Sequence, residues 1–228
     1  MPEIMIIYLY GPDSYRRQEK LKQIISEYKS KHENPSLRFF DFEEEGKLAE
    51  FLDFAKSNSL FDNKKMAVVH NSGILDKKDL KEYIGALKGN LKTEDTILII
   101  NEDKALTKDF SFLPADKEIS QEFRNLDGMD LQRFVWREVK SRGLEIDRDT
   151  QDLLMKAFSG NTWGLITELD KLSLLGEKKI TKEIVKKYFD DLPTLDVFDA
   201  LNGIRVARGV GARLAILEEL FSRSQDPG

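Results

Sequence analysis

Along the first half of the chain, short apolar runs alternate with longer amphipathic stretches. Ile4-Met5-Ile6-Ile7-Tyr8-Leu9-Tyr10 is almost uninterrupted, the pattern of a strand covered on both faces of a parallel sheet. Gly11-Pro12-Asp13-Ser14 reads as a turn, with Asp13 or Ser14 placed to cap a helix running to about Lys31. Tyr15, Leu21, Ile24, Ile25 and Tyr28 supply its inward stripe. Further strands are predicted over Leu37–Phe42, Met66–Val69 and Thr96–Ile100, with a weaker amphipathic one over Lys117–Phe123, suited to an edge. Helices are predicted over Lys47–Lys56, with Leu48, Phe51, Leu52 and Ala55 on one side, and from Asp76 to about Leu87. This alternation predicts parallel βαβ units with right-handed crossovers.

Beyond Asn125 the strands are expected to stop. Helices are predicted over Leu131–Arg142, Asp149–Phe158, Trp163–Leu175 and Lys182–Phe189, with Gly143 as a C-terminal cap and Thr181 capping the last. Trp136 and Trp163, taken with Phe134 and Leu165, are assigned to a core. Pro193 marks a linker, followed by helical stretches at about Leu195–Arg208 and Ala212–Ser222. The expected organisation is an α/β domain over 1–125, a small all-helical domain over 126–192, and the start of a third, helical domain over 193–228.

Composition narrows the chemistry. Lys plus Arg total 36 against 41 Asp plus Glu, a formal charge of −5, whereas a free-standing DNA-binding domain draws much of its affinity from a basic excess. Nucleic-acid contact is therefore expected to be local or to come through partners. The lysines of Lys178–Lys187 are interrupted by Ile180, Ile184 and Val185, an amphipathic helix for which a DNA-facing role is the lesser alternative. The absence of cysteine removes disulfides, thiolate chemistry and most structural zinc sites. His32 and His70 lie far apart without neighbouring ligands, and read as a helix end and a strand end. Neither a metal nor a cofactor is expected. The apolar start lacks a basic leader region and is too short to span a bilayer, which places the chain in the cytoplasm.

Two segments bear on function. In a phosphate-binding loop the turn after the first strand reads G-x-x-x-x-G-K-[ST], and its N–H groups cradle phosphates. Here Gly11-Pro12-Asp13-Ser14-Tyr15-Arg16-Arg17 lacks the second glycine and the Gly-Lys pair. Pro12 removes a donor, Asp13 would oppose an anion, and Arg16 and Arg17 read as a solvated face. Without such a loop, Glu102 and Asp103 at the end of the fourth strand are expected to serve as loop or capping residues rather than magnesium ligands. The second segment is Ser57-Asn58-Ser59-Leu60-Phe61-Asp62, an apolar pair among small polar residues. From pattern alone Leu60 and Phe61 turn inward; the alternative is an exposed anchor for a partner's pocket.

Several segments, taken in order, resemble the delta subunit of bacterial DNA polymerase III, the wrench of the clamp loader. They are Tyr10–Tyr15 with Glu19-Lys20-Leu21; Ser59-Leu60-Phe61 followed by Lys64–Val69; Gly160–Trp163 with Glu168, Leu169, Lys171 and Leu172; and Asp196–Leu201. The resemblance implies an AAA+-like five-stranded parallel domain without ATPase activity, a helical lid and a helical collar, of which this chain carries about two helices. It implies no catalysis by the chain itself, within a holoenzyme that is a DNA-directed DNA polymerase, a nucleotidyltransferase. Implied partners are the beta sliding clamp, the gamma/tau ATPase subunits, delta-prime and, through the complex, primed DNA. It also favours the anchor reading of Leu60 and Phe61, with Ser59, Asn58 and Ser57 completing the clamp-binding tip. Two rivals stand beside it: an active nucleotide hydrolase with an unconventional phosphate site, and a delta-prime-type stator that does not grip the clamp.

Overall fold

The computed structural model describes residues 5–32, 36–57, 65–90, 96–113 and 119–188, with isolated helical positions at 211, 214, 215 and 217. The chain divides into two compact units, Met1–Asn125 and Leu126–Gly228. The linker expected at Pro193 lies outside the described residues, as do the two helices expected after it apart from those isolated positions.

In the first unit the elements run β1 (Met5–Tyr10), α1 (Ser14–Lys31), β2 (Ser36–Asp41), α2 (Lys47–Lys56), β3 (Lys65–His70), α3 (Lys77–Asn90), β4 (Thr96–Glu102) and β5 (Ser120–Glu122). The strands form one sheet in the order β2-β3-β4-β1-β5, and every pairing in it is parallel. Successive side chains leave opposite faces of a strand, so each apolar run supplies two cores. Ile6, Tyr8, Ala67, Val69, Leu98 and Ile100 join Phe51, Phe54, Tyr83 and Leu87 of α2 and α3 on one face. Ile7, Leu9, Met66, Val68 and Ile99 meet Leu21 and Tyr28 of α1 on the other. The first core is knit by edge-on rings, with Phe51 and Tyr83 centred 5.3 Å apart and Phe42 and Tyr83 5.1 Å apart, a geometry that adds to simple burial. β5 is the amphipathic edge strand, shortened to three residues paired with the end of β1.

The second unit holds α4 (Gly128–Ser141), β6 (Glu145–Ile146), α5 (Arg148–Ala157), α6 (Thr162–Ser173), β7 (Lys179–Ile180) and α7 (Lys182–Tyr188). Gly143 closes α4 at φ +68°, its N–H bonding the Lys140 carbonyl at 3.0 Å while the Leu144 N–H bonds that of Val139 at 3.1 Å. This paired arrangement is the Schellman cap. The Thr181 hydroxyl accepts the Ile184 N–H at 3.5 Å, starting α7.

Two expectations are corrected here. Strands do not stop at Asn125, because β6 and β7 pair in parallel, two residues each. Segments so short carry no alternation to read. Trp136 and Trp163 are not core residues, being 58% and 46% exposed. Each stands two positions from its supposed partner, Phe134 or Leu165, and residues two apart on a helix point about 200° away from each other. The buried stripes run through Leu131, Phe134, Val135 and Val139, and through Leu165, Ile166, Leu169 and Leu172. Trp136 instead lies under the Lys140 ammonium, 4.8 Å from its ring centroid. Phe134→Ala is accordingly expected to cost about 3–5 kcal/mol and Trp136→Ala less than about 1 kcal/mol, as chemical denaturation of the two variants will measure.

Candidate functional site

The carboxyl ends of β1, β3 and β4 meet at the turn that opens α1. Gly11 has φ +124°, and a Cβ there would stand 2.4 Å from the Phe123 carbonyl oxygen, so only glycine lets the turn close against the strand beside it. That approach commits the backbone donors. Gly11 N–H donates to the Glu102 carbonyl at 3.1 Å, Asp13 N–H to that of Phe123 at 3.0 Å, and Ser14 N–H to that of Pro12 at 2.9 Å. The buried Asp13 carboxylate caps α1 by accepting the Arg16 N–H at 3.2 Å, and the Arg16 guanidinium lies 3.3 Å from it. In a phosphate-binding turn such donors face the ligand. Here the turn's own oxygens and its sheet neighbours take them.

Arg17 departs from the expected solvated face. It is 4% exposed, donates to the Gly11 carbonyl and pairs with the Asp103 carboxylate, whose side chain is 77% exposed. The first turn of α1 points this side chain inward across the strand ends, where a carbonyl and a carboxylate accept it. Arg16 remains half-exposed and also donates to the Arg124 carbonyl at 3.1 Å. It borders an open groove lined by Tyr8, Tyr10, Phe110, Glu122 and Phe123, in which the two tyrosine rings stack 4.5 Å apart.

The acidic end of β4 has structural partners. The buried Glu102 carboxylate accepts the N–H and the hydroxyl of Ser72, each at 2.8 Å. Burial pushes its carboxyl up from the ordinary glutamate range, against the pull of the Ser72 donors. His70 ends β3 as expected, with Nδ1 3.2 Å from the Asn101 amide nitrogen. Burial holds its imidazole below the usual 6.5, reinforced by the Arg17 charge and opposed by Asp41 and Asp103. Among the described residues no group of three His, Cys, Asp or Glu side chains could hold a metal ion, and no helix is long and apolar enough to cross a membrane.

Of the tip, Ser57 is described and Asn58, Ser59, Leu60 and Phe61 lie outside the described residues. Ser57 follows the last residue of α2, donating its N–H to the Asp53 carbonyl at 3.0 Å and its hydroxyl to that of Phe54 at 2.8 Å. Lys65, the first residue of β3, is a buried lysine turned onto the same helix end. Pattern reading assigned Arg17 to solvent and gave Lys65 no role. A signal existed for Lys65, a charged residue adjoining the apolar strand that follows.

The same fold occurs in solved structures. The Bacillus subtilis DNA clamp loader delta protein matches 98% of this chain and 69% of its own length at TM-score 0.54 and 20% identity. The Thermotoga maritima RuvB Holliday junction branch migration motor matches 95% and 74% at TM-score 0.56 and 14% identity. These likenesses define the class, an AAA+-like parallel α/β fold followed by helices. The family described as DNA polymerase III, delta subunit, matches residues 8–120. A probable DNA polymerase III subunit delta of Mycoplasma genitalium is 27% identical over 216 residues, 94% of this chain and 68% of the relative. Over residues 8–120, just under half of its length, the chain is thus similar to the DNA polymerase III delta-subunit family, and the Mycoplasma relative extends that likeness over most of the rest.

Two measurements probe the strand-end cluster. Gly11→Ala combines a left-handed φ with backbone overlap and is expected to destabilise the protein by about 2–4 kcal/mol in denaturant titration. Because the folded state lowers the His70 pKa, the unfolded chain binds the proton more readily, and stability falls as pH drops through 6.5 toward the folded value. Thermal melts between pH 7.5 and 5.5 should therefore show a smaller acid loss for His70→Asn than for the wild-type chain.

Proposed function

We propose that this chain is a non-catalytic clamp-loader subunit of DNA replication, which binds the beta sliding clamp and favours the open ring for loading onto primed DNA. The match of residues 8–120 to the delta-subunit family and the likeness to the Mycoplasma relative support the replication role. The observation that carries the non-catalytic reading is the closed turn, whose Gly11 and Asp13 N–H groups are bound to the strands beside it and whose Arg17 already neutralises Asp103. A nucleotide would have to break these contacts before it gained any. ATP then acts on partner subunits of the gamma/tau type, with delta-prime completing a cytoplasmic loader, and DNA is reached through that assembly.

The proposed grip is the segment Ser57–Phe61, with Leu60 and Phe61 as apolar anchors in a pocket of the clamp. Burying each contributes roughly 1.5–3 kcal/mol, less the cost of association. A subunit opens a ring only by the difference between its affinities for the open and closed forms, so the anchors supply hold and the residues flanking them supply the preference. The α/β unit serves as a rigid mount.

Titration of the cognate sliding clamp with wild-type chain and the Leu60→Ala/Phe61→Ala double variant tests this reading. The double variant is expected to bind about 100-fold more weakly or worse, with an unchanged melting temperature. Unchanged affinity with a lowered melting temperature would instead assign both side chains to a core, as in a stator. Micromolar binding of ATP with magnesium in calorimetry would restore the hydrolase reading.

A further inference from the structure

Lys65 breaks the pattern of its strand. β3 is buried along Lys65–Val69, and Lys65 itself is 6% exposed, in a place where an apolar residue would satisfy the sheet more simply. A buried ammonium costs several kcal/mol unless its donors are met. Those of Lys65 are met by the end of α2. Nζ donates to the carbonyls of Phe54, Ala55 and Ser57, at 3.3 Å for Ala55, and lies 3.4 Å from the Ser57 hydroxyl and 4.9 Å from the centroid of the Phe54 ring. The last carbonyls of a helix lack partners within it and carry the negative end of its dipole, so a cation there is doubly suited.

The lysine's own backbone is held from both sides, in register with Ser36 of β2 and Thr96 of β4. Its side chain therefore ties the C-terminal end of α2 to the start of a strand paired on both sides. Ser57 and Lys65 are also the described residues that flank positions 58–64 in the sequence.

We propose that Lys65 is a positioning residue for the clamp-binding tip, fastening the two ends of segment 58–64 into one closed neck. The inference rests on the clamp-binding reading of Leu60 and Phe61 and adds a second requirement to it, that the anchors be presented from a fixed base. Closing a loop at its base removes conformations that would otherwise be lost on binding, so the neck improves affinity without itself touching the clamp.

The test uses the full chain and the cognate clamp, at a temperature well below each variant's melting point. Lys65→Met is expected to weaken clamp binding about tenfold, and Lys65→Arg, which keeps a charged donor, to stay within about threefold of wild type. Lys56→Met removes an exposed lysine at the end of the same helix and should bind as wild type does. Lys65→Ala, which admits water to the freed carbonyls, replaces Lys65→Met if the latter does not fold, under the same criteria. Wild-type affinity in a folded Lys65→Met or Lys65→Ala overturns the proposal, as does an equal loss in Lys56→Met, which would mean simple charge attraction. Wild-type affinity in the Leu60→Ala/Phe61→Ala double variant overturns the clamp reading and the neck with it. Loss there without loss at Lys65 removes the neck alone.

Discussion

A guanidinium buried at the carboxyl edge of a parallel sheet must find acceptors nearby, because isolated charge is costly away from water. Arg17 finds them in the Gly11 carbonyl and the Asp103 carboxylate, and the surrounding geometry follows from that pairing. The turn must come close enough for Gly11 to present its carbonyl, which demands a glycine against Phe123. The loop after β4 must return Asp103 to the head of α1. Once both are in place, the region where related architectures receive a phosphate is occupied by the protein's own cation and its own N–H bonds.

Much of this fold could be read from periodicity. Each strand of the sheet and each helix through α7 has an apolar pattern long enough to register, and the caps Asp13, Gly143 and Thr181 stand where local chemistry requires them. The weak amphipathic run before Phe123 is the edge strand. What escaped has physical causes in common. β6 and β7 are held by pairing partners far apart in sequence, which no local window contains. Trp136 and Trp163 mislead because size suggests burial, whereas rotation about the helix decides it. Arg17 and Lys65 are buried cations whose acceptors are brought to them in space, and hydrophobicity patterns assign charge to solvent by default. Of the tip itself, Leu60 and Phe61 acquired meaning through family resemblance, since an apolar pair among polar residues fits a core or an interface equally well.

Both buried cations do the same kind of work. Each takes backbone carbonyls left over where a regular element meets a turn, and each fixes that turn against the sheet. At Arg17 the result is a closed turn whose backbone donors are already engaged. At Lys65 the result is a fixed join between the end of α2 and the start of β3.

The two cations stand at opposite ends of the strands. Lys65 begins β3 and His70, beside the Arg17 cluster, ends it; five steps of about 3.3 Å separate them by roughly 17 Å. At that distance, through a sheet paired on both sides of β3, the edges can be altered independently. Charge or volume changed around the Gly11 turn should leave the join between Lys65 and the end of α2 unmoved, and changes at that join should leave the turn closed. The parallel sheet thereby acts as a spacer, holding its two edges apart so that each is fixed by its own cation.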